Sequence, residues 1–311
     1  MSEMVKLENV SRFYGSFPAL KEVTLSLPFG RIGLLGPNGA GKSTLIKILL
    51  GLLAPSSGHG TILDIPLSSS GAKLRRKIGY VPESHSLVPG LKGVEYVSMA
   101  GELAGMQQRE AQRRAHELLT YLELEDARYR PLEDFSTGMK QRIKLAQALI
   151  HDPPLLLLDE PTSGLDPAGR DAMLRLLHVL GTEHGKAFIL CTHLLGDVDR
   201  ICDYVVILHH GEVLRQGKVE ELRSKRQNRY RLKIEGNPEK FLKDLRLEDV
   251  EVLEDNAQGD VLVQVPADWV TRAFFQLADN NDVILKGIRK DVEDLSQLFH
   301  RALAEREPNG N

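Results

Sequence analysis

The first 220 residues alternate between the apolar patterns of strands and of helices. Apolar and polar side chains alternate over residues 5–10 and 24–27, as they do in half-buried strands. Residues 155–158, 187–191 and 204–208 are continuous apolar runs, which are typical of strands buried on both faces of a parallel sheet. This order predicts an α/β fold with a mostly parallel sheet covered by helices.

Helical segments separate these strands. A further strand at 31–35 leads through a glycine-rich turn into a helix at 43–50, which Gly51 and Pro55 end. Residues 92–128 have a helical pattern in which Glu, Gln, Arg and Ala are interleaved with Leu. We expect a helical insert at this point of the chain.

The pattern resets after residue 222. The predicted elements beyond it are a strand at 230–235, a helix at 238–245, strands at 250–254 and 261–265, a helix at 267–278, a strand at 283–288 and a last helix at 292–304. The first six follow the order β-α-β-β-α-β, which is that of ferredoxin-like folds. We therefore predict two domains, 1–222 and a small α+β domain at 223–311.

A basic segment marks this boundary. Residues 223–233 contain six basic side chains, and three of these, Arg229, Arg231 and Lys233, alternate with apolar ones. The alternation favours one solvated face of a strand, while a patch for anionic lipid or nucleic acid remains open. The whole chain has a net charge of −3, so we expect no nucleic-acid partner.

Composition narrows the cellular setting. The chain is 42% hydrophobic and 27% charged, as globular proteins are. Its two cysteines, Cys191 and Cys202, argue against a disulfide scaffold and suit a reducing cytosol. The start MSEMVKLENV does not resemble a signal peptide, and no apolar run approaches the ~20 residues that span a bilayer. If the protein serves a membrane, we expect a separate polypeptide to supply the pore.

The turn at 36–44 carries the first chemical motif. It matches G-x-x-x-x-G-K-[ST] between a predicted strand and a predicted helix, with the residues Gly36, Pro37, Asn38, Gly39, Ala40, Gly41, Lys42, Ser43 and Thr44. Glycines let successive backbone N–H groups point at phosphate oxygens, and the helix N-terminus adds partial positive charge. Lys42 is expected to reach the β- and γ-phosphates, and the Ser43 hydroxyl a Mg²⁺ ion.

A pair of acids follows the apolar run at 155–158. Asp159 would lie at the carboxyl edge of the parallel sheet, where open α/β sheets bind their ligands. We expect it to hold Mg²⁺, directly or through water. Glu160 comes next, and its carboxylate is placed to polarise an attacking water.

A third motif lies about twenty residues before Asp159. It reads Phe135-Ser136-Thr137-Gly138-Met139-Lys140-Gln141-Arg142 and begins a predicted helix, with Ser136 well placed as its N-cap. It resembles the signature motif of ABC ATPases, and Ser163-Gly164-Leu165-Asp166 resembles the D-loop of that family. The resemblance covers roughly residues 3–222, with the motifs in the order of the family.

The resemblance implies a P-loop (RecA-like) ABC ATPase core with antiparallel β and helical subdomains, which uses ATP and Mg²⁺. In the family two such domains pair head to tail, so that Ser136 and Gly138 of one subunit would contact the ATP held by the other. It also implies a catalytic set of Lys42, Glu160 and His193, the last as the switch histidine of the family.

Two further site residues are implied by the resemblance. Tyr14 sits where the family stacks an aromatic ring on adenine, although Phe13 and Phe17 nearby leave a packing role open. Glu83 replaces a frequent glutamine and is expected, with Ser43 and Asp159, to ligate Mg²⁺ or contact water.

Departures from the commonest motifs point to a subgroup. Thr137 and Met139 stand in the signature where a glycine and a glutamine are most common, and these variants, with Glu83 and a C-terminal appendage, are similar to exporter ATPases. Such a subunit would act with a separate transmembrane permease and a second ATPase subunit, a homodimer being expected. It would lie in the cytoplasm, peripherally on the inner face of the membrane.

Two alternatives stay open at this point. An ABC ATPase can act without a transporter, in DNA repair or at the ribosome, but such proteins carry long coiled coils, zinc-binding cysteines or tandem ATPase domains. A nucleotide-sensing regulator would need a damaged catalytic set, whereas Glu160 and His193 are both present.

Overall fold

The structure is a computed structural model. It describes residues 3–69, 71–84, 87–223, 228–236, 238–256 and 259–291, together with Leu295, Gln297 and Phe299. These residues divide into two compact units: the first runs to Val219 and includes Phe299, and the second is Glu220–Leu298.

The first unit has two sheets. Its strands are β1 (Glu3–Tyr14), β2 (Phe17–Pro28), β3 (Arg31–Leu35), β4 (Ser57–Ile62), β5 (Ile65–Pro66), β6 (Ile78–Val81), β7 (Leu155–Asp159), β8 (Ala187–Cys191), β9 (Tyr204–His209) and β10 (Glu212–Lys218). Strands β2-β1-β4-β5 form an antiparallel sheet, and β10-β9-β3-β8-β7-β6 form the central sheet. In the central sheet β9, β3, β8, β7 and β6 are parallel and β10 is antiparallel, which confirms the predicted α/β class.

The helices of this part of the chain include those predicted at 43–50, within 92–128 and at the signature motif. They are α1 (Lys42–Leu49), α2 (Gly71–Arg75), α3 (Gly93–Leu103), α4 (Gln108–Tyr121), α5 (Thr137–Leu149), α6 (Pro167–Thr182), α7 (Leu195–Ile201) and α8 (Val219–Arg223). The predicted insert at 92–128 contains α3 and α4, and both pack against α5, the helix of the signature motif. Among the described residues, no helix is both long and apolar enough to cross a membrane.

The order of the central sheet brings the motifs together. Strand β8 lies between β3 and β7, with Leu34 paired to Cys191 and Asp159 also paired to Cys191. All three strands run in the same direction, so their carboxyl ends share one edge. The loop after β3, the acids at the end of β7 and the segment after β8 therefore meet there.

The second unit has a sheet and a core of its own. Its elements are β11 (Arg229–Glu235), α9 (Glu239–Leu247), β12 (Glu251–Asn256), β13 (Asp260–Gln264), α10 (Arg272–Asn280) and β14 (Ile284–Lys290). The sheet order is β12-β13-β11-β14 with all pairs antiparallel, so β13 separates the two parallel strands β11 and β12. This is the predicted ferredoxin-like arrangement, and both helices pack on a core that includes Leu232, Phe241 and Phe274.

Two predictions for this unit have different outcomes. On β11, Arg231 forms an ion pair with Glu254 at 3.1 Å, and Arg229 donates to the side chain of Gln264, as expected of one polar strand face. Most of the predicted last helix, 292–304, lies outside the described residues.

Candidate active site

The loop between β3 and α1 is built on glycines whose replacement would strain the backbone or cause a clash. Gly39 and Gly41 have φ angles of +80° and +104°, in the left-handed region that disfavours side chains. A Cβ on Gly36 would collide with the carbonyl oxygen of Leu208. The chain can therefore curl tightly here only with these residues.

Helix α1 begins directly at the end of this loop. Its N-cap, Gly41, has no side chain to bond the first N–H groups of the helix. The Nζ atom of Lys42 donates to the carbonyl oxygens of Gly36 at 2.6 Å and Pro37 at 3.1 Å, which holds the ammonium inside the curl of the loop. Unpaired N–H groups and a fixed cation together form an anion site.

The loop opens onto a cavity of about 490 Å³. Its lining contains most of the predicted site residues: Tyr14, Asn38, Gly39, Ala40, Gly41, Lys42, Ser43, Thr44, Glu83, Asp159, Glu160 and His193, with Phe17 and Ala19 in addition. Gly36 and Pro37 belong to the loop but lie outside this lining. The volume falls within the usual range of small-molecule sites.

Asp159 is held in a setting that disfavours its charge. The side chain is only 6% exposed, and burial raises its pKa to about 6, with the negative charges of Glu83 and Glu160 adding to the effect. Lys42 and a hydrogen bond from the Tyr80 hydroxyl act in the opposite direction. Acids crowded in this way are stabilised when a cation joins them.

The donor set fits Mg²⁺. A hydroxyl from Ser43 and carboxylates from Asp159 and Glu83 line the same cavity, and hard oxygen donors are those that Mg²⁺ prefers. The described residues contain no group of three His, Cys, Asp or Glu side chains that could hold a metal alone. One or two protein ligands, completed by phosphate oxygens and water, is the usual pattern for Mg²⁺ at a nucleotide.

Glu160 is clamped by the segment that follows β8. Its Oε1 atom accepts from the backbone N–H of His193 at 3.0 Å and lies 2.8 Å from the Nδ1 atom of that residue. Its Oε2 atom accepts from the Thr192 hydroxyl at 3.0 Å. The backbone of Glu160 has a φ of +47°, a strained conformation of the kind found at functional sites. The carboxylate is thus fixed in direction at the wall of the cavity.

Two supporting residues were not predicted from the sequence. Thr192 precedes His193, so its place beside the predicted switch histidine was a usable signal. Arg12 lies with its guanidinium 5.2 Å from the centre of the Tyr14 ring and donates to the Ala54 carbonyl. The guanidinium covers one side of that ring by a cation–π contact.

The signature residues lie apart from this cavity in the described part of the chain. Ser136 is the N-cap of α5, where its Oγ atom accepts from the Met139 N–H at 3.3 Å, and its side chain is exposed. A Cβ on Gly138 would meet only Leu165 and Ser136, at 3.9 and 4.0 Å, so its surroundings are open. The predicted contact of Ser136 and Gly138 with the ATP of another subunit stays a prediction.

Comparisons with known proteins agree with this geometry. The family model described as ABC transporter matches residues 20–163. The linearmycin resistance ATP-binding protein LnrL of Bacillus subtilis is 36% identical over 302 residues, 96% of this chain and 86% of that protein. The Nod factor export ATP-binding protein I of Cupriavidus pinatubonensis is 34% identical over 223 residues, 71% of this chain and 68% of that protein.

A solved structure gives the same result for the fold. The ATP-binding cassette MJ0796, determined as a dimer in a post-hydrolysis state with ADP and Pi, aligns with a TM-score of 0.62 and 31% identity. The alignment covers 70% of this chain and 99% of that one. The chain therefore belongs to the ABC transporter family, as an ATP-binding subunit that hydrolyses ATP.

Proposed function

We propose that this ATPase powers an exporter, acting as a head-to-tail dimer on a separate membrane subunit. The observation that carries the catalytic part is the single cavity that joins the phosphate loop, Asp159, and the Glu160–His193 pair. Phosphoryl transfer depends mainly on positioning and on charge neutralisation, and this cavity supplies residues for both.

The loop and Lys42 account for binding of the triphosphate. Residues 39–44 line the cavity, where their backbone N–H groups would bind phosphate oxygens, and the Lys42 ammonium would neutralise charge on the β- and γ-phosphates. Tyr14 offers the ring face opposite Arg12 to the adenine.

Ser43, Asp159 and Glu83 are the residues that would hold Mg²⁺. When bound, the ion would neutralise negative charge that develops during transfer. The charges of Glu83 and Glu160, which help to raise the pKa of Asp159, add negative charge at the place where the cation would bind.

Glu160 and His193 account for hydrolysis. Glu160 presents a fixed carboxylate that can accept a proton from water as the water attacks. His193 contacts the same Oε1 atom, and 59% of its side chain is exposed at the cavity. In this proposal it orients both the carboxylate and the γ-phosphate.

The dimer and the membrane partner rest on the fold and on the relatives. Ser136 and Gly138 face open surroundings at the start of α5, where the exposed N–H groups of the helix can bind a phosphate of a facing subunit. A relative is named for Nod factor export and another for linearmycin resistance, which supports export. Helices α3 and α4 offer a surface for the membrane subunit, so that the protein lies on the inner face of the membrane.

The test uses two substitutions at the cavity. Glu160→Gln is expected to stop turnover, spare ATP affinity and accumulate an ATP-bound dimer, because the amide cannot accept the proton of water. Lys42→Ala is expected to abolish turnover through loss of phosphate binding. Size-exclusion chromatography with ATP and Mg²⁺, together with phosphate release, separates the two effects.

The contrary results are equally clear. A fully active, monomeric Glu160→Gln variant would contradict both the role of Glu160 and the dimer. Near-normal turnover in Lys42→Ala would contradict the phosphate site.

A further inference from the structure

A lysine is completely buried in the helix of the signature motif. Lys144 lies on α5 with 0% of its surface exposed and is among the largest fully buried side chains. Taking an ammonium group out of water costs free energy unless it is hydrogen-bonded. Burial accordingly lowers the pKa of Lys144 to about 8, although the charges of Asp159 and Glu83 act against this. An aliphatic side chain would fill this position without that cost.

The contacts of Lys144 show what the ammonium does there. Its Nζ atom donates to the carbonyl oxygen of Pro82 at 2.6 Å and lies 3.4 Å from that of Glu83. Both carbonyls belong to the segment that follows β6, 61 and 62 residues earlier in the chain. A buried donor of α5 therefore holds the backbone of this segment by charge-assisted hydrogen bonds.

The position of the Glu83 side chain depends on this backbone. The residue is exposed and lines the cavity, and its charge acts on Asp159. A long side chain in an exposed position needs a fixed main chain if its carboxylate is to stay at one place. Lys144 lies on the buried side of Pro82 and Glu83, and its hydrogen bonds can restrain their main chain from there.

We propose that Lys144 is a positioning residue, which fixes the backbone at Pro82 and Glu83 so that the Glu83 carboxylate stays beside Asp159 in the cavity. This inference rests on the proposed function, in which Glu83 would help to hold Mg²⁺. It also gives α5 two roles, since the helix whose N-cap is Ser136 contacts, eight residues later, the backbone of Glu83, which lines the cavity of its own subunit.

A double-mutant cycle in the full-length protein tests the inference. Lys144→Met keeps most of the volume of the side chain, is one atom shorter and removes the donor, and Glu83→Ala removes the carboxylate. Each single variant is expected to lower kcat roughly 10-fold, in the range that small misplacements cost, with ATP affinity by calorimetry within about twofold of the original. The double variant is expected to be no more than about twofold slower than the slower single variant, because Lys144 acts through Glu83.

Lys186→Met is the matched control. Lys186 is also poorly exposed, at 15%, and donates to a backbone carbonyl, that of Pro153, as well as to Asp152. Pro153, whose carbonyl accepts this hydrogen bond, does not line the cavity. We expect this variant to lower the unfolding temperature slightly and to leave kcat unchanged.

Three results would overturn the inference. Multiplying losses in the double variant would show that Lys144 contributes through general packing, as would loss of ATP affinity in Lys144→Met or a kcat loss of equal size in Lys186→Met. If Lys144→Met does not fold, Lys144→Leu, with a shorter aliphatic side chain that also lacks a donor, gives the same cycle. Absence of turnover in the unmodified protein would overturn the proposed function and this inference together, whereas normal turnover with multiplying losses would overturn the role of Lys144 alone.

Discussion

At the scale of single residues, the buried carboxyl group of Asp159 makes the stability of the protein depend on pH. Asp159 has a pKa raised from 3.8 to about 6, so the folded state binds its proton more tightly than the unfolded chain does. The free energy of unfolding therefore falls as the pH rises from about 4 to about 6, and the ionised carboxylate remains destabilising above that. A cation bound beside Asp159 would offset this unfavourable burial of charge.

We expect Asp159→Asn to stabilise the protein while removing its activity. Without nucleotide and in EDTA, the free energy of unfolding at pH 8 should rise on the order of 1–2 kcal/mol, because the amide carries no charge to bury. The gain should be smaller at pH 5, where the native carboxyl is largely protonated. Thermal unfolding at the two pH values measures this.

The control for that experiment is Asp171→Asn. Asp171 pairs with Arg200 at the surface, and its pKa is lowered by that hydrogen bond rather than raised. It should show no gain at pH 8. An Asp159→Asn variant that unfolds at lower temperature than the original at both pH values would contradict the argument.

Some residues of the site could be predicted from the sequence and others could not, for a physical reason. Lys42 and Asp159 occupy positions that the loop and the strand end determine locally, so their spacing alone reveals them. Thr192 and Lys144 act on groups 32 and 62 residues away along the chain. No periodicity displays such contacts, which depend on how the strands are ordered.

At the scale of elements, the same distinction separates the strands. The buried strands β7, β8 and β9 were evident because both faces are apolar. Strand β4, with the sequence Ser-Gly-His-Gly-Thr-Ile, is largely exposed and has two glycines, so its residues have low strand propensity. It forms through its register with β1, in which Val5 pairs with Ile62.

Helix α5 carries the sharpest prediction at this scale. Ser136→Arg is expected to spare ATP binding to the isolated chain and to remove hydrolysis, since a bulky side chain at the helix start would keep a facing subunit away. The added positive charge is not repelled by phosphate, so steric exclusion must be the cause. Calorimetry with ATP and a phosphate-release assay check the two parts.

Two comparisons sharpen this prediction. Ser136→Ala should lower the rate of hydrolysis less than Ser136→Arg does. It removes the cap bond to Met139 and about one further hydrogen bond, which together contribute about 1–2 kcal/mol. Mixing Ser136→Arg with Lys42→Ala should restore some activity, since one composite site of the mixed dimer then carries neither change. Full activity of Ser136→Arg alone would contradict the role of α5, as would loss of ATP affinity in the monomer.

At the scale of the whole molecule, each unit has its own apolar core. The core of the first unit joins the antiparallel sheet to the central sheet, through residues such as Leu7, Leu25, Ile46 and Leu157. The core of the second unit is formed by its sheet and by α9 and α10. Every residue that lines the cavity belongs to the first unit. Cores of this kind usually allow independent folding.

We therefore expect a chain that ends at Leu222 to fold and to bind ATP with an affinity within about threefold of the full chain, because every group assigned to the nucleotide is kept. Loss of residues 223–311 should instead alter dimer formation or the choice of partner. Circular dichroism, calorimetry and sedimentation at several concentrations distinguish these effects. A second chain, 220–298, should unfold cooperatively on its own, since the split-βαβ sheet and both helices are complete within it.

If the chain that ends at Leu222 is soluble and folded but does not bind ATP, the boundary near residue 220 does not separate two independent units. In that case the second unit must be needed to maintain the cavity.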